Sequence, residues 1–312
     1  MTHAVVPPHV APARLRIGVV GAGRVGGVLA AALRAAGHEI VSAAGESDAS
    51  RGRIADLLPG VPNAKPSAVA RDCDLLLLTV PDDMLANVVK VLADSGSLRE
   101  GQYVAHTSGL HGLAILAPAI AVGARAIALH PAMTFSGTSI DLERLDGCVF
   151  GLTAESEERE AAAGLVSDLG GRCIWVPESR RALYHAGLAH GANHLVTLVT
   201  EAMEMLAAAG ADDPAATLRP LLTAALDNAL EHGDAALTGP IVRGDVNTVR
   251  AHLENIARQT PTTLPSYLAL ARATLSRAVT DGRLMPLRAL KINEALDEAA
   301  AAMRPSRIRW SS

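Results

Sequence analysis

The chain has 312 residues, of which 49% are hydrophobic and 19% charged, a balance that excludes a disordered chain and allows more than one buried core. A net charge of -4 and a pI near 6.3 leave no basic footprint for nucleic acid or anionic membrane surfaces. The aromatic content of 2% argues against platforms that stack single-stranded bases.

In chain order, residues 1–14 carry Pro7, Pro8 and Pro12 and lack a basic start followed by a long apolar core. They read as a flexible tail rather than a signal peptide, and no later apolar run reaches transmembrane length. From Leu15 short apolar runs alternate with amphipathic stretches. Leu15–Val20 predicts a strand, Val25–Ala36 a helix ended by Gly37, and Glu39–Ala43 a second strand. The run Cys73–Val80 predicts a strand covered on both faces. Further strands are expected at 103–106, 126–129, 149–152 and 173–176. Strands separated by helices imply an α/β fold with a mostly parallel, doubly wound Rossmann-type sheet over residues 15–177. After Pro177 long helical patterns follow at 179–209, 214–232, 246–258, 265–279 and 287–303. Residues 178–312 are therefore expected to form an all-helical domain. Cys73, Cys148 and Cys173 lie in strand-like runs without CxxC spacing, which predicts buried thiols in a cytoplasmic protein.

Gly21-Ala22-Gly23-Arg24-Val25-Gly26 follows the first strand and opens the first helix. That placement is what a dinucleotide site needs. Gly21 permits the turn, Gly23 lets a pyrophosphate approach the backbone, and Gly26 lets helix and strand pack closely. After the second strand come Glu46, Ser47, Ser50, Arg51 and Arg53. Ser47 and Arg51 suit the 2′-phosphate of NADP, while Glu46 suits the ribose of NAD, so NADP is expected with NAD as the alternative. Val80 and Pro81 end a buried parallel strand and are expected to border the cofactor. Asp82 and Asp83 read more simply as caps of the next helix.

The next strands end in His106-Thr107-Ser108-Gly109 and His130-Pro131. Ser108 lacks the glycines of a hydrolase elbow, so Ser108 and the Gly109 amide are expected to bind a substrate carboxylate. His130 is a substrate-binding candidate, with a structural strand-end role equally open for both His106 and His130. His185 and Asn193 stand two i,i+4 steps apart on one broad helix face, as a proton donor and an orienting amide would. Arg243, in Thr238–Asp245, suits a carboxylate clamp, with a local Arg243–Asp245 ion pair as the plainer reading. His190 and His194 share i,i+4 spacing, but position 191 is Gly and no third ligand is evident. No metal site is expected.

Taken in order, GVVGAGRVG, LLTVPDD, HTSG, LHPAMTF, LYHAGLAHGANHLV and TGPIVRGD resemble the bacterial family that pairs a Rossmann-like domain with a DUF2520 domain. The resemblance covers about residues 15–303, and its last two segments are the specific ones. It implies kinship with 6-phosphogluconate dehydrogenase-like and ketopantoate reductase-like proteins, NADP binding, a substrate and dimerisation role for the helical residues 178–312, and homodimers. That superfamily places a catalytic lysine on the domain-bridging helix, followed four residues later by asparagine. Here His185 takes the lysine-like position, Ala189 the next, and Asn193 one step beyond. The resulting expectation is an NAD(P)H-dependent oxidoreductase of a small oxo acid, ketopantoate first. Reduction of an imine or other small substrate, and a non-catalytic NADP-binding or regulatory protein on the same fold, are the alternatives.

Overall fold

A computed structural model describes residues 14–303. All but the last residue of the expected N-terminal tail lies outside the described residues. The chain divides into two compact units, Met1–Ala189 and His190–Ser312.

The first unit is built on a seven-stranded sheet, ordered β2-β1-β3-β4-β5-β6-β7. Its strands are β1 (Arg16–Val20), β2 (Glu39–Ala44), β3 (Leu75–Leu78), β4 (Tyr103–His106), β5 (Arg125–Pro131), β6 (Val149–Ala154) and β7 (Arg172–Trp175). Only the β5–β6 pairing is antiparallel. Helices α1 (Arg24–Ala35), α2 (Asp48–Leu57), α3 (Pro66–Arg71), α4 (Asp82–Asp94), α5 (Ala117–Ala121), α6 (Ile140–Arg144) and α7 (Arg159–Asp168) connect the strands.

The all-leucine β3 shows why a continuous apolar run makes a strand here. Leu75 and Leu77 pack into the core on one face, with Val28, Leu29 and Leu33 of α1 and Leu165 and Val166 of α7. Leu76 and Leu78 pack on the other, with Val69 of α3 and Leu85, Val89 and Leu92 of α4. Alternation with period two thus buries every side chain. The strand is shorter than the apolar run that encodes it. The flanking Asp74 and Thr79 still bond through their amides, to the Arg16 and Val20 oxygens at 2.7 and 2.9 Å, while their side chains turn to the Arg16 amide and the Gly21 oxygen.

Cys73 and Cys148 are buried, but Cys173 is exposed, against the expectation for all three. It lies on β7, a sheet-edge strand whose residues are all exposed and which pairs only with β6. An apolar strand pattern does not guarantee cover at an edge.

Helix α8 (Arg181–Ala208) runs across the division of the chain. The second unit continues with α9 (Pro214–His232), α10 (Pro240–Arg243), α11 (Val246–Gln259), α12 (Leu264–Thr280) and α13 (Pro286–Ala302). Asp213 caps α9 by accepting from the Ala216 amide at 2.9 Å, with Pro214 in the first turn. The core of this unit joins α11, α12 and α13 through Val249, Leu253 and Ile256, Leu268 and Leu275, and Ile292 and Leu296. Among the described residues no helix is long and apolar enough to cross a membrane.

Candidate functional site

The carboxyl ends of β1, β3, β4 and β5 bring the candidate residues of the first unit together. At β1 the chain turns through Gly21 at φ +95°, a conformation that side chains rarely adopt. A Cβ on Gly21 would lie 2.8 Å from the Val80 nitrogen, and one on Gly26 would lie 2.2 Å from Thr79 Oγ1. Those glycines hold the start of α1 against the end of β3. Gly23 differs, since a Cβ there would meet only the Gly21 oxygen, at 3.7 Å. Its outer side is open.

Gly23 is the N-cap of α1 and supplies no side-chain cap, and no acidic residue occupies the first turn. The first intrahelical bond runs from the Gly27 amide to the Gly23 oxygen at 3.1 Å, so the amides of Arg24, Val25 and Gly26 precede the helical ladder. An uncapped helix start beside an open glycine fits a pyrophosphate group.

Beyond β2, Asn63 brackets Gly45, accepting from its amide at 2.9 Å and donating to its oxygen at 3.2 Å. Ser47 caps α2 by accepting from the Ser50 amide at 3.1 Å. The exposed Arg51 pairs with the Asp48 carboxylate and the Glu46 oxygen. Gly137, in the loop after β5, sits where a Cβ would touch Arg53 Nε at 2.7 Å and Arg24 Cγ at 2.9 Å. That loop is held by the buried Asp141, which accepts from the Gly137 amide at 2.7 Å and from the Ser136 hydroxyl at 3.0 Å. Pro81, not an aspartate, is the N-cap of α4. Asp82 and Asp83 lie in its first turn without a side-chain capping bond, where their charge still favours the helix dipole.

The two strand-end histidines have different surroundings. His106 is fully buried, its Nδ1 accepting from the Ser108 amide at 3.1 Å and its Nε2 donating to the Gly112 oxygen at 2.8 Å. Both nitrogens are spent on closing the loop after β4, which is a structural role. His130 is half-buried, and its Nδ1 lies 3.0 Å from the Tyr184 hydroxyl. Burial, reinforced by the Arg181 charge, pushes both histidines down to about 4; the Asp82 carboxylate works against this.

Gly109, His130 and His185 converge. A Cβ on Gly109 would lie 2.6 Å from His185 Cδ2 and 2.9 Å from His130 Nε2, and the two rings stand edge-on with centroids 6.0 Å apart. Ser108 is buried beside them, its hydroxyl oxygen accepting from the His111 amide at 3.1 Å. Asn193 and Arg243 belong to the second unit, where both are exposed. Arg243 Nε there donates to Asp245 at 3.1 Å, the local ion pair. His190 and His194 contact each other through Nδ1 atoms 2.9 Å apart.

Two groups that the motifs did not single out complete the first-unit cluster. Arg181, only 1% exposed, donates to the Ser108 oxygen at 2.7 Å, to Thr153 Oγ1 at 3.0 Å and to the Gly151 oxygen at 3.4 Å. Glu178 accepts from the amides of Leu113 at 2.6 Å and Ala114 at 3.2 Å. The turn entering α8 therefore grips the loop after β4 near both ends. The available signal was phase, because Arg181, Tyr184, His185 and Leu188 recur at i, i+3, i+4 and i+7 on one helix face.

The Rossmann-like domain family matches residues 1–131, and the family described as a domain of unknown function, DUF2520, matches residues 148–274. No curated protein matches the chain. Among solved structures, a Bacteroides fragilis protein assigned as an NADP oxidoreductase aligns at TM-score 0.71 and 21% identity, over 84% of this chain and 98% of that one. A Thermotoga maritima protein aligns at TM-score 0.62 and 19% identity, over 85% and 99% of the two chains. The Plasmodium falciparum pyrroline carboxylate reductase, solved with NADP bound, aligns at TM-score 0.52 and 12% identity, over 92% and 97%. At these identities the likeness is one of fold.

Proposed function

We propose that this chain, which pairs a Rossmann-like domain with a DUF2520 domain, is an NADPH-dependent reductase of a small acid carrying a C=O or C=N group. The observation that carries this reading is the convergence of Gly109, His130 and His185 at the same sheet edge as the uncapped start of α1. Ligands of doubly wound sheets bind at that edge.

The amides of Arg24, Val25 and Gly26 would hold the pyrophosphate beside Gly23, with Val80 and Pro81 lining the same edge. Ser47 and Arg51 are the residues for a 2′-phosphate, and for Arg51 this requires exchanging its Asp48 contact. When bound, the cofactor supplies the hydride. His185 gives a proton to the oxygen or nitrogen of the reduced bond, and the Gly109 amide and Ser108 hydroxyl receive the carboxylate. Nothing in the residue set favours ketopantoate over another small oxo acid. The fold likeness to a pyrroline carboxylate reductase supports testing a cyclic imine acid equally.

The reading extends to a homodimer in the cytoplasm. On α8 Val196 is 67% exposed, and on α9 Leu226 and Leu230, an i,i+4 pair on one face, are 49% and 79% exposed, apolar side chains that a partner protomer would cover. Cysteines without disulfides suit a reducing compartment.

The test is NADPH oxidation against ketopantoate, a panel of small 2-oxo acids and 1-pyrroline-5-carboxylate. Turnover of at least one, lost by a hundredfold or more in His185→Ala while NADPH still binds, is expected. NADPH binding with no turnover across the panel, and no effect of His185→Ala on any measured property, would leave a binding protein instead.

A further inference from the structure

The two histidines at the strand ends use their nitrogens differently. Among the described residues His106 has both nitrogens bonded, whereas His130 has one bond, between Nδ1 and the Tyr184 hydroxyl at 3.0 Å. Its Nε2 lies beside Gly109, in the space that a side chain at that position would fill. The Tyr184 ring meets His130 edge-on, with centroids 5.6 Å apart and planes at 89°. Space for the phenol comes from Gly151, the residue paired with His130 across the β5–β6 ladder. A Cβ on Gly151 would lie 2.6 Å from the Tyr184 oxygen.

A neutral imidazole and a phenol share one proton between Nδ1 and Oη, and chemistry decides its side. Imidazole nitrogen is a much better acceptor than a phenol oxygen, and a phenol is the stronger donor. The Arg181 guanidinium, 5.9 Å from the Tyr184 ring centroid, further depletes that oxygen of acceptor strength. Burial raises the Tyr184 pKa, so the phenol keeps the proton it donates.

We propose that Tyr184 is a positioning residue whose hydroxyl donates to His130 Nδ1 and fixes His130 as the Nε2–H tautomer, presenting that N–H beside Gly109 as a fixed donor to the substrate. What the N–H meets rests on the reductase reading; the tautomer does not. The arrangement keeps His130 a neutral hydrogen-bond donor to a developing oxyanion or amine nitrogen, distinct from His185, which transfers a proton. It also accounts for two glycines at once. Gly151 admits the phenol, and Gly109 leaves Nε2 uncovered.

The experiment is two-dimensional long-range ¹H–¹⁵N NMR of the ¹⁵N-histidine-labelled full chain near pH 7.5, with the His130 signals identified by their loss in His130→Gln. The wild type is expected to show Nδ1 as the bare nitrogen and Nε2 as the protonated one. In Tyr184→Phe the two His130 shifts are expected to move toward a tautomer average, with NADPH affinity unchanged. If the chain reduces a substrate of the panel, Tyr184→Phe should lower kcat about tenfold with little change in KM. His130→Gln, whose amide keeps a donor near Nε2, should then retain more activity than His130→Ala and should no longer respond to the tyrosine change. A protonated Nδ1 in the wild type overturns the proposal, as does an unaltered single tautomer in Tyr184→Phe. The expected tautomer shift without turnover of any panel member would uphold the positioning role and reject the reductase reading.

Discussion

Arg181 donates through Nη2 to the main-chain oxygen of Ser108 at 2.7 Å, across 73 residues of sequence and inside the core. This one contact ties the start of α8 to the loop that presents Gly109. A buried guanidinium must spend its donors on acceptors, because desolvation alone already pulls its pKa down. Here Thr153 and Gly151 supply them for Nη1 and Ser108 for Nη2, while Nε is buried without a partner.

Replacing that cation by an apolar side chain leaves three oxygens short of a donor. Arg181→Met is expected to cost about 2–4 kcal/mol of stability. Arg181→Lys should recover part of this, since an ammonium reaches fewer of the three acceptors than a planar fork. Urea unfolding of the two variants checks it. Equal midpoints for Arg181→Met and the wild type would show that the loop is held without the guanidinium.

The glycine turn separates a folding role from a binding role. Gly26→Ala drives a methyl against Thr79 Oγ1 and the Gly21 oxygen, at 2.2 and 2.7 Å, and is expected to destabilise the fold by about 1–3 kcal/mol. Gly23→Ala meets nothing closer than 3.7 Å, so the melting temperature should hold. Its methyl would enter the pyrophosphate space, and the NADPH Kd should rise about tenfold or more. Calorimetric melting beside NADPH titration distinguishes the two. Undiminished NADPH binding in Gly23→Ala would move the cofactor away from this turn.

Much of the fold was legible because its signals are local. The continuous apolar run over Leu75–Leu78, the strand at Tyr103–His106 and the Asp213-Pro214 helix start are written in adjacent residues. Cys173 was misread because whether a strand lies at the sheet edge is a property of topology, not of its own residues. The same limit hid Arg181 and Glu178. Arg180 and Arg181 look alike as neighbours in sequence, and only the helical phase of α8 buries one of them. His106 and His130 were indistinguishable as strand-end histidines, and they part only when Gly112 closes on one and Tyr184 on the other.

The exposed leucines of α9 give a separate expectation. Leu226→Glu and Leu230→Glu, an i,i+4 pair on one face of α9, alter side chains that are 49% and 79% exposed, so the protomer's own packing should tolerate each within about 0.5 kcal/mol. A homodimer joined through this face should dissociate, and sedimentation velocity should show a monomer at concentrations where the wild type is a dimer. A wild type that sediments as a monomer, or a Glu pair that leaves a dimer intact, would remove α9 from any interface.

The buried histidines predict a stability that depends on pH, with a definite sign. Folding pushes His106 and His130 from their ordinary value of 6.5 down to about 4. Between those values the unfolded chain takes up protons that the folded chain refuses. Stability from this source is therefore complete above about pH 6.5 and is lost as pH falls toward 4. Going from pH 7.5 to pH 5 should cost about 2 kcal/mol for each histidine. Carboxylates titrate over part of the same range, so the decisive comparison is between variants. His106→Gln removes one titrating group while retaining an amide able to donate toward Gly112, and it should shrink the loss between pH 7.5 and pH 5 by roughly half. Urea midpoints at the two pH values measure this directly. Parallel losses in His106→Gln and the wild type would mean that His106 is no harder to protonate in the folded protein than in the unfolded chain.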